Sequence, residues 1–389
     1  MKKFITFYII LSFFMMIGVV WADHENEPFA FHNIYKYKID KSENYHKFDF
    51  DLQDNDLSKK VEEQLKNKKK TNLVSYLLYE DGKIKVDQKV KSKYTNWYYP
   101  SHSIGKSLVS VVTGYAVCEG YIDSVHNNID YPTVKNTLYE NQKLLNLLNM
   151  AAGDEFYIGQ RFYQKDNRMK GNGQNVNTIP LKQVMDRYFQ GTQRHNPALN
   201  TLTGENKSLV YNYSALTTNV IMNYVIYKTG DDWEKLLHKV FTEDTKVKNE
   251  VYFGKSIEKS KSGNMKKGEY GRYTFYAQRD DYLRIGLMVM NHWNNDTCVG
   301  KYLKTMYENR ISKDRKSYNT NVIFGYSKSY GGQFHFDVVG LEHKKILGMD
   351  GFGGQQLIID FDRKRIISVA STDVHYDWYE IVYKKLKED

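Results

Sequence analysis

The spacing of apolar and polar positions along the chain defines a short series of elements. Leu73-Val74-Ser75-Tyr76-Leu77-Leu78-Tyr79 and Ile84-Lys85-Val86 flank Glu80-Asp81-Gly82-Lys83. An Asp-Gly pair between two apolar runs predicts a β-hairpin. From 104 to 116 the residues are small and apolar almost all round, which predicts a helix buried in the middle of the protein. Gly120 then ends it. A short helix is expected over 144–150, stopped at Ala151-Ala152-Gly153. A long one is expected over 211–228 after a turn at Tyr213-Ser214, and another over 275–294. An amphipathic helix with a basic end is expected over 61–70. Strands are expected at 334–339, 351–360 and 365–371, then an amphipathic helix over 377–387. Residues 154–208, rich in Gly, Asn and Gln with little period, suggest long loops on helices. The early hairpin, central helices and late strands imply that the two chain ends meet in one antiparallel sheet. The fold class is therefore mixed α/β, an antiparallel sheet flanked by helices with an inserted helical lobe.

Composition narrows this little. At 389 residues with 41% hydrophobic and 15% aromatic content, the chain is long enough for a large core. The net charge of +10 is spread along it, and the densest run, Lys66-Asn67-Lys68-Lys69-Lys70, follows two glutamates. That run reads as a solvated helix end, so no nucleic-acid partner is expected. The N-terminus changes the picture more. Lys2 and Lys3 precede an apolar run over 4–22, and Val20-Trp21-Ala22 places small residues at the -3 and -1 positions of a cleavage site. Residues 1–22 are expected to be a signal peptide or an uncleaved anchor, with the body exported to a periplasmic or extracellular space. Membrane contact is expected only through that segment. Residues 23–60 form an N-terminal extension packed on the body, and 61–389 the main domain. Cys118 and Cys298 form no framework; an oxidising compartment permits a disulfide, but both read as buried or unpaired thiols.

The chemistry centres on Tyr99-Pro100-Ser101-His102-Ser103-Ile104-Gly105-Lys106. A proline break precedes the buried helix, and Ser103 and Lys106 stand at i, i+3 on one face. A lysine held there away from water gives up its proton readily and can accept one from the serine hydroxyl. Ser-x-x-Lys recurs at Ser256 and Lys259, in a polar loop with nothing to bury the lysine. Gly105-Lys106-Ser107 mimics the end of a phosphate-binding loop but has Pro100 where that loop needs glycine, which rejects a nucleotide site. His102, adjacent to Ser103, points to a different helix face and is read as non-catalytic. The later histidines show no paired metal-ligand spacing, so no metal is expected, and no cofactor.

From Leu73 onward, the order of elements and local words resembles the serine β-lactamase-like superfamily of class C β-lactamases, penicillin-binding carboxypeptidases, esterases and amidases. Ser103-Ile104-Gly105-Lys106 is similar to its Ser-x-x-Lys opening a central helix. Gly114-Tyr115-Ala116-Val117-Cys118-Glu119-Gly120-Tyr121-Ile122 resembles the end of that helix, and Leu147-Leu148-Asn149-Met150-Ala151-Ala152-Gly153 a following word. Tyr213-Ser214-Ala215 looks like the Tyr-Ser-Asn motif, and Ala277-Gln278-Arg279-Asp280-Asp281 a later helix start. The third motif, Lys/His-Thr/Ser-Gly on a strand, aligns with Met349-Asp350-Gly351. The literal Lys228-Thr229-Gly230 falls at the end of a helix, where Gly230 reads as a C-cap.

The resemblance implies Ser103 as nucleophile, Lys106 and Tyr213 sharing the proton shuttle, and an oxyanion hole from the backbone N–H groups of Ser103 and Phe352. Gly351 leaves the strand edge clear for substrate. Met349, Asp350 and Ala215 stand where the family carries substrate-binding groups. An apolar residue and an anion replace the cation that helps to hold a penicillin carboxylate, and Ala215 replaces the asparagine. The expected function is an exported serine hydrolase acting on a small-molecule carboxylic ester or amide. A β-lactamase or D-Ala-D-Ala carboxypeptidase is the alternative within the class. The alternative from another class is a catalytically weak cell-envelope binding or scaffold protein on the same fold.

Overall fold

The computed structural model describes residues 36–67, 71–90, 98–162, 180–197, 209–255, 271–314 and 322–388. The 1–22 segment, the first part of the extension and the Ser256/Lys259 pair lie outside them.

Among the described residues, nine strands make one sheet, in the order β2-β4-β3-β13-β12-β11-β10-β9-β8. The hairpin of β3 (Leu73–Glu80) and β4 (Lys83–Lys89) turns at Asp81-Gly82, both with positive φ. β3 pairs antiparallel with β13 (Arg365–Ser371), so the first and last parts of the sheet meet at its centre. β13 pairs with β12 (Gln355–Asp360), and β12 with β11 (Ile346–Gly351). Beyond β11 come β10 (Phe334–Val338), β9 (Ser327–Gly331) and β8 (Ile311–Ser312). The only parallel pairing in this sheet joins β2 (Asp49–Phe50), from the extension, to β4. Apolar side chains fill both faces. One face packs on α1 (Asp56–Lys66) and the C-terminal helical segment, where Trp378 is fully buried. The other packs on α2 (Ile104–Cys118) and α8 (Arg279–Asn294), and α6 (Ala215–Thr229) packs in turn against α2.

Between these ends lie α3 (Leu144–Leu148), α4 (Asp154–Phe162), α5 (Leu181–Val184) and α7 (Trp233–His238). α9 (Cys298–Glu308) follows α8, and the short α10 (Ile323–Tyr326) precedes β9. α2 is buried from Ile104 to Ala116, as its all-round apolar pattern requires. Its few hydroxyls are satisfied inside: Ser107 donates to the Gln333 carbonyl at 2.6 Å, and Ser110 meets the Tyr302 hydroxyl at 2.8 Å.

The structure corrects the sequence reading in several places. A second sheet, β1-β6-β7-β5, joins β1 (Lys36–Ile39) of the extension to β6 (Val251–Lys255), β7 (Gly271–Ala277) and β5 (Tyr99–Pro100). The helix expected over 275–294 therefore begins only at Arg279. Phe275 pairs with Phe253 across strands; in the core the Phe275 ring stacks on Phe241 and the Phe253 ring meets it edge-on. The strand expected over 351–360 is split: Gly353 and Gly354 take φ of 81° and 82° in a turn between β11 and β12. The helix expected from 211 begins at Ala215, because Ser214 caps it by accepting from the Thr217 N–H at 3.2 Å. The cysteines, read as buried or unpaired thiols, form the Cys118–Cys298 disulfide, which ties the end of α2 to the start of α9. No described helix is long and apolar enough to cross a membrane.

Candidate active site

The site begins where β5 becomes α2. Tyr99 and Pro100 pair with Ala277 and Tyr276 of β7. Ser101, fully buried, continues that pairing: its N–H donates to the Phe275 carbonyl at 2.7 Å, and its hydroxyl accepts from the Phe275 N–H at 2.9 Å. His102 then takes φ +46°, a left-handed conformation that non-glycine residues adopt only when the surroundings enforce it. The chain reverses there and enters the helix with Ser103 at the N-cap, half-buried and open to solvent. Gly105 permits the tight entry, since a Cβ there would meet the Tyr273 carbonyl of β7.

Lys106, one turn on, is 2% exposed and donates to Ser103 Oγ at 2.8 Å. Its Nζ also lies 4.1 Å from the Tyr273 ring centre and 4.9 Å from that of Tyr213. Burial lowers its pKa to about 7, opposed by the Asp350 carboxyl. An appreciable fraction of Lys106 is therefore an uncharged amine at neutral pH, able to accept a proton.

Tyr213 stands just before α6, and burial pushes its phenol well above the ordinary value, only partly offset by a hydrogen bond with Ser103. The residues that follow it are held by a buried carboxylate. Asp154 accepts from Tyr139 Oη at 2.8 Å, from Thr217 Oγ1 at 3.0 Å and from the Ser214 hydroxyl. Met150, itself at φ +56°, accepts the Asn212 N–H at 2.7 Å. The residues on either side of Tyr213 are thus fixed to the start of α4 and the end of α3.

The third side of the site is the end of β11. β12 pairs with it along its length, whereas β10 pairs with it only at His335↔Gly348. Among the described residues, no strand pairs with the other edge of β11 over Met349, Asp350 and Gly351. A Cβ on Gly351 would come 2.5 Å from the Ser101 carbonyl, so this strand end presses directly on the turn that carries Ser103. Phe352 follows, its side chain 80% exposed and its ring 5.8 Å from that of His102. No described acceptor takes the N–H of Phe352 or of Ser103. Two donors and a hydroxyl beside a neutral amine form an arrangement capable of acyl transfer.

The remaining candidates differ in access. Met349 is fully buried in the core, and Ala215 is 5% exposed at the first turn of α6. Asp350 is half-buried, and burial raises its pKa to about 8 against the pull of Lys313, the Phe324 N–H and Lys106. Lys228-Thr229-Gly230 ends α6, with Gly230 at φ +56° as its cap, far along the helix from Tyr213. No group of three or more metal-ligating side chains clusters among the described residues. The sequence reading misses Tyr273 and Asp154. Tyr273 is one of 33 tyrosines and stands just before the expected helix, where no element is assigned; Asp154 opens a segment whose pattern is weak.

No sequence-family profile matches the chain, and no curated protein sequence does. Solved structures do match its fold. A Bacillus anthracis protein designated a 6-aminohexanoate-dimer hydrolase superposes with a TM-score of 0.62 at 14% identity, over 95% of this chain and 92% of its own. A D-stereospecific amidohydrolase from Streptomyces sp. gives 0.53 at 13%, over 84% and 97%. A class C β-lactamase in complex with cefoxitin gives 0.52 at 13%, over 85% and 98%. The chain has the serine β-lactamase-like fold.

Proposed function

We propose that the protein is an exported serine hydrolase that forms an acyl-enzyme on Ser103 and cleaves a small carboxylic ester or amide. The observation that carries this reading is the buried Lys106 Nζ lying 2.8 Å from the hydroxyl of the solvent-open Ser103. In the first step the neutral amine of Lys106 takes the hydroxyl proton as Oγ attacks the carbonyl carbon. The N–H groups of Ser103 and Phe352 receive the developing oxyanion. Tyr213, beside both groups, relays the proton to the leaving alkoxide or amine. Water then attacks the acyl-enzyme with Lys106 and Tyr213 again handling the proton. The 6-aminohexanoate-dimer hydrolase, class C β-lactamase and amidohydrolase that share the fold support the general kind of reaction, and the Cys118–Cys298 disulfide supports an oxidising compartment.

The β-lactamase and D-Ala-D-Ala carboxypeptidase readings are weaker because Asp350, in its anionic form, repels a substrate carboxylate. The purified protein and Ser103→Ala, offered p-nitrophenyl esters, a chromogenic cephalosporin and a D-amino-acid amide, test this reading. Ester or amide turnover that vanishes in Ser103→Ala is the expected result. Dominant cephalosporin turnover overturns the substrate class. No turnover and no labelling of Ser103 by a fluorophosphonate overturns the enzyme in favour of a scaffold.

A further inference from the structure

We propose that Asp350 selects the substrate by accepting a primary ammonium group carried near the scissile carbonyl, so that the site prefers aminoacyl esters and amides to their uncharged counterparts. This rests on the reading of Ser103 as the nucleophile.

Place is the first argument. Asp350 lies two residues before Phe352, whose N–H is an oxyanion donor, on the stretch of β11 whose other edge no described strand pairs with. Two residues of strand span roughly 6–7 Å, about the distance bridged by an α-aminoacyl group together with a hydrogen bond at its carbonyl and another at its amine. Gly351 between them is bare because the Ser101 carbonyl fills the place of its Cβ, which holds this strand end against the turn that carries Ser103.

Chemistry is the second. Asp350 Oδ1 is enclosed by protein and has no hydrogen-bond partner, while the carboxyl receives the Phe324 N–H. An enclosed carboxylate oxygen without a donor is costly, which is why burial raises the Asp350 pKa to about 8. The N–H and charge of a bound ammonium relieve that cost and bring the carboxyl into its ionised form at neutral pH. Lys106 does not supply it, since its amine donates to Ser103 and works as a base in its neutral form. Lys313 directs hydrogen bonds to the Phe324 carbonyl at 2.5 Å and to Ser327 Oγ at 2.7 Å. The other titratable groups whose charges act on or feel the Asp350 carboxyl are the phenols of Tyr213, Tyr330 and Tyr376.

Surroundings are the third. Tyr213 makes edge-on ring contacts with Phe324 at 5.5 Å and with the buried Tyr330 at 6.2 Å, so the groups beside Asp350 are aromatic. Such a wall accommodates an alkylammonium better than a hydrated anion.

Alanine p-nitroanilide and propionyl p-nitroanilide, near-equal in size and differing by the ammonium group, form the test, with p-nitrophenyl butyrate as the uncharged reference. With the full chain at neutral pH, kcat/KM for the alanyl compound should exceed that for the propionyl compound by about tenfold or more, mainly through KM. In Asp350→Asn the ratio should collapse to about one, and in Asp350→Lys it should invert. Fluorophosphonate labelling of Ser103 verifies that each variant retains its site, with Asp350→Ser replacing any that fails to fold. Butyrate hydrolysis accompanied by a ratio of one, or by a ratio that Asp350→Asn leaves unchanged, overturns the inference and leaves the hydrolase standing. Absence of both turnover and labelling in the unmutated protein overturns the hydrolase, and the inference with it.

Discussion

Two lysines in this molecule donate to a serine hydroxyl at nearly the same distance. Lys106 reaches Ser103 at 2.8 Å, and Lys313 reaches Ser327 at 2.7 Å; both lysines are buried. Around them, little else is shared. Ser327 is fully buried at the start of β9, where its hydroxyl also meets His335 Nδ1 at 3.1 Å, and Lys313 is further held by the Phe324 carbonyl. Ser103 stands open to solvent on a left-handed turn at a helix N-terminus, against the end of β11. A serine–lysine hydrogen bond alone is thus a packing device. Access, a base with Ser103 as its hydrogen-bond partner, and free backbone donors turn one such pair into a candidate nucleophile.

The largest effect is expected from breaking the pair that has these features. Ser103→Ala should abolish fluorophosphonate labelling and lower ester turnover on the order of a thousandfold or more. Ser327→Ala should keep both. Next is Lys106, which must be uncharged to accept a proton. Burial lowers its pKa to about 7, so kcat/KM should rise with pH through about 7 and level off above it. Lys106→Met should lose that acid limb and about two to four orders of magnitude in rate. Smaller is Asp154→Asn, which weakens the acceptor that holds the hydroxyls of Tyr139, Ser214 and Thr217. It should lower kcat more than it raises KM and cost about 1–3 kcal/mol in denaturant unfolding. The smallest effect on chemistry should come from Lys313→Met. It removes the Lys313 hydrogen bonds to the Phe324 carbonyl and to Ser327 Oγ and costs about 1–3 kcal/mol of stability, while Ser103 remains open to labelling.

The elements legible in the sequence were those whose signal is local. The Asp81-Gly82 hairpin, the all-round apolar 104–116 run and Gly230 as a cap each follow from backbone preference or burial period. Their order along the chain suggested that the two ends share a sheet, and β3 pairing with β13 is that arrangement. Less was legible where long-range pairing decides. Residues 271–277 are aromatic enough for strand or helix, and only pairing with β6 and β5 makes them β7. Cys118 and Cys298 are 180 residues apart, so nothing local foretold their bond. Ser103 and Lys106 were visible as a spacing. The burial of Lys106 beneath Tyr273, the anchoring of Ser214 by Asp154 and the pressure of Gly351 on Ser101 are tertiary facts. Conversely, Met349 drew attention as a changed motif position, and it lies fully inside the core.

The most direct test of the central claim is the mass of the intact protein after acid quench during p-nitrophenyl butyrate turnover, followed by peptide mapping of the adduct. A single butyryl group on Ser103, absent from Ser103→Ala, is the predicted result. Turnover without an adduct, or an adduct mapped to Tyr213, Lys106 or Ser327, would contradict it.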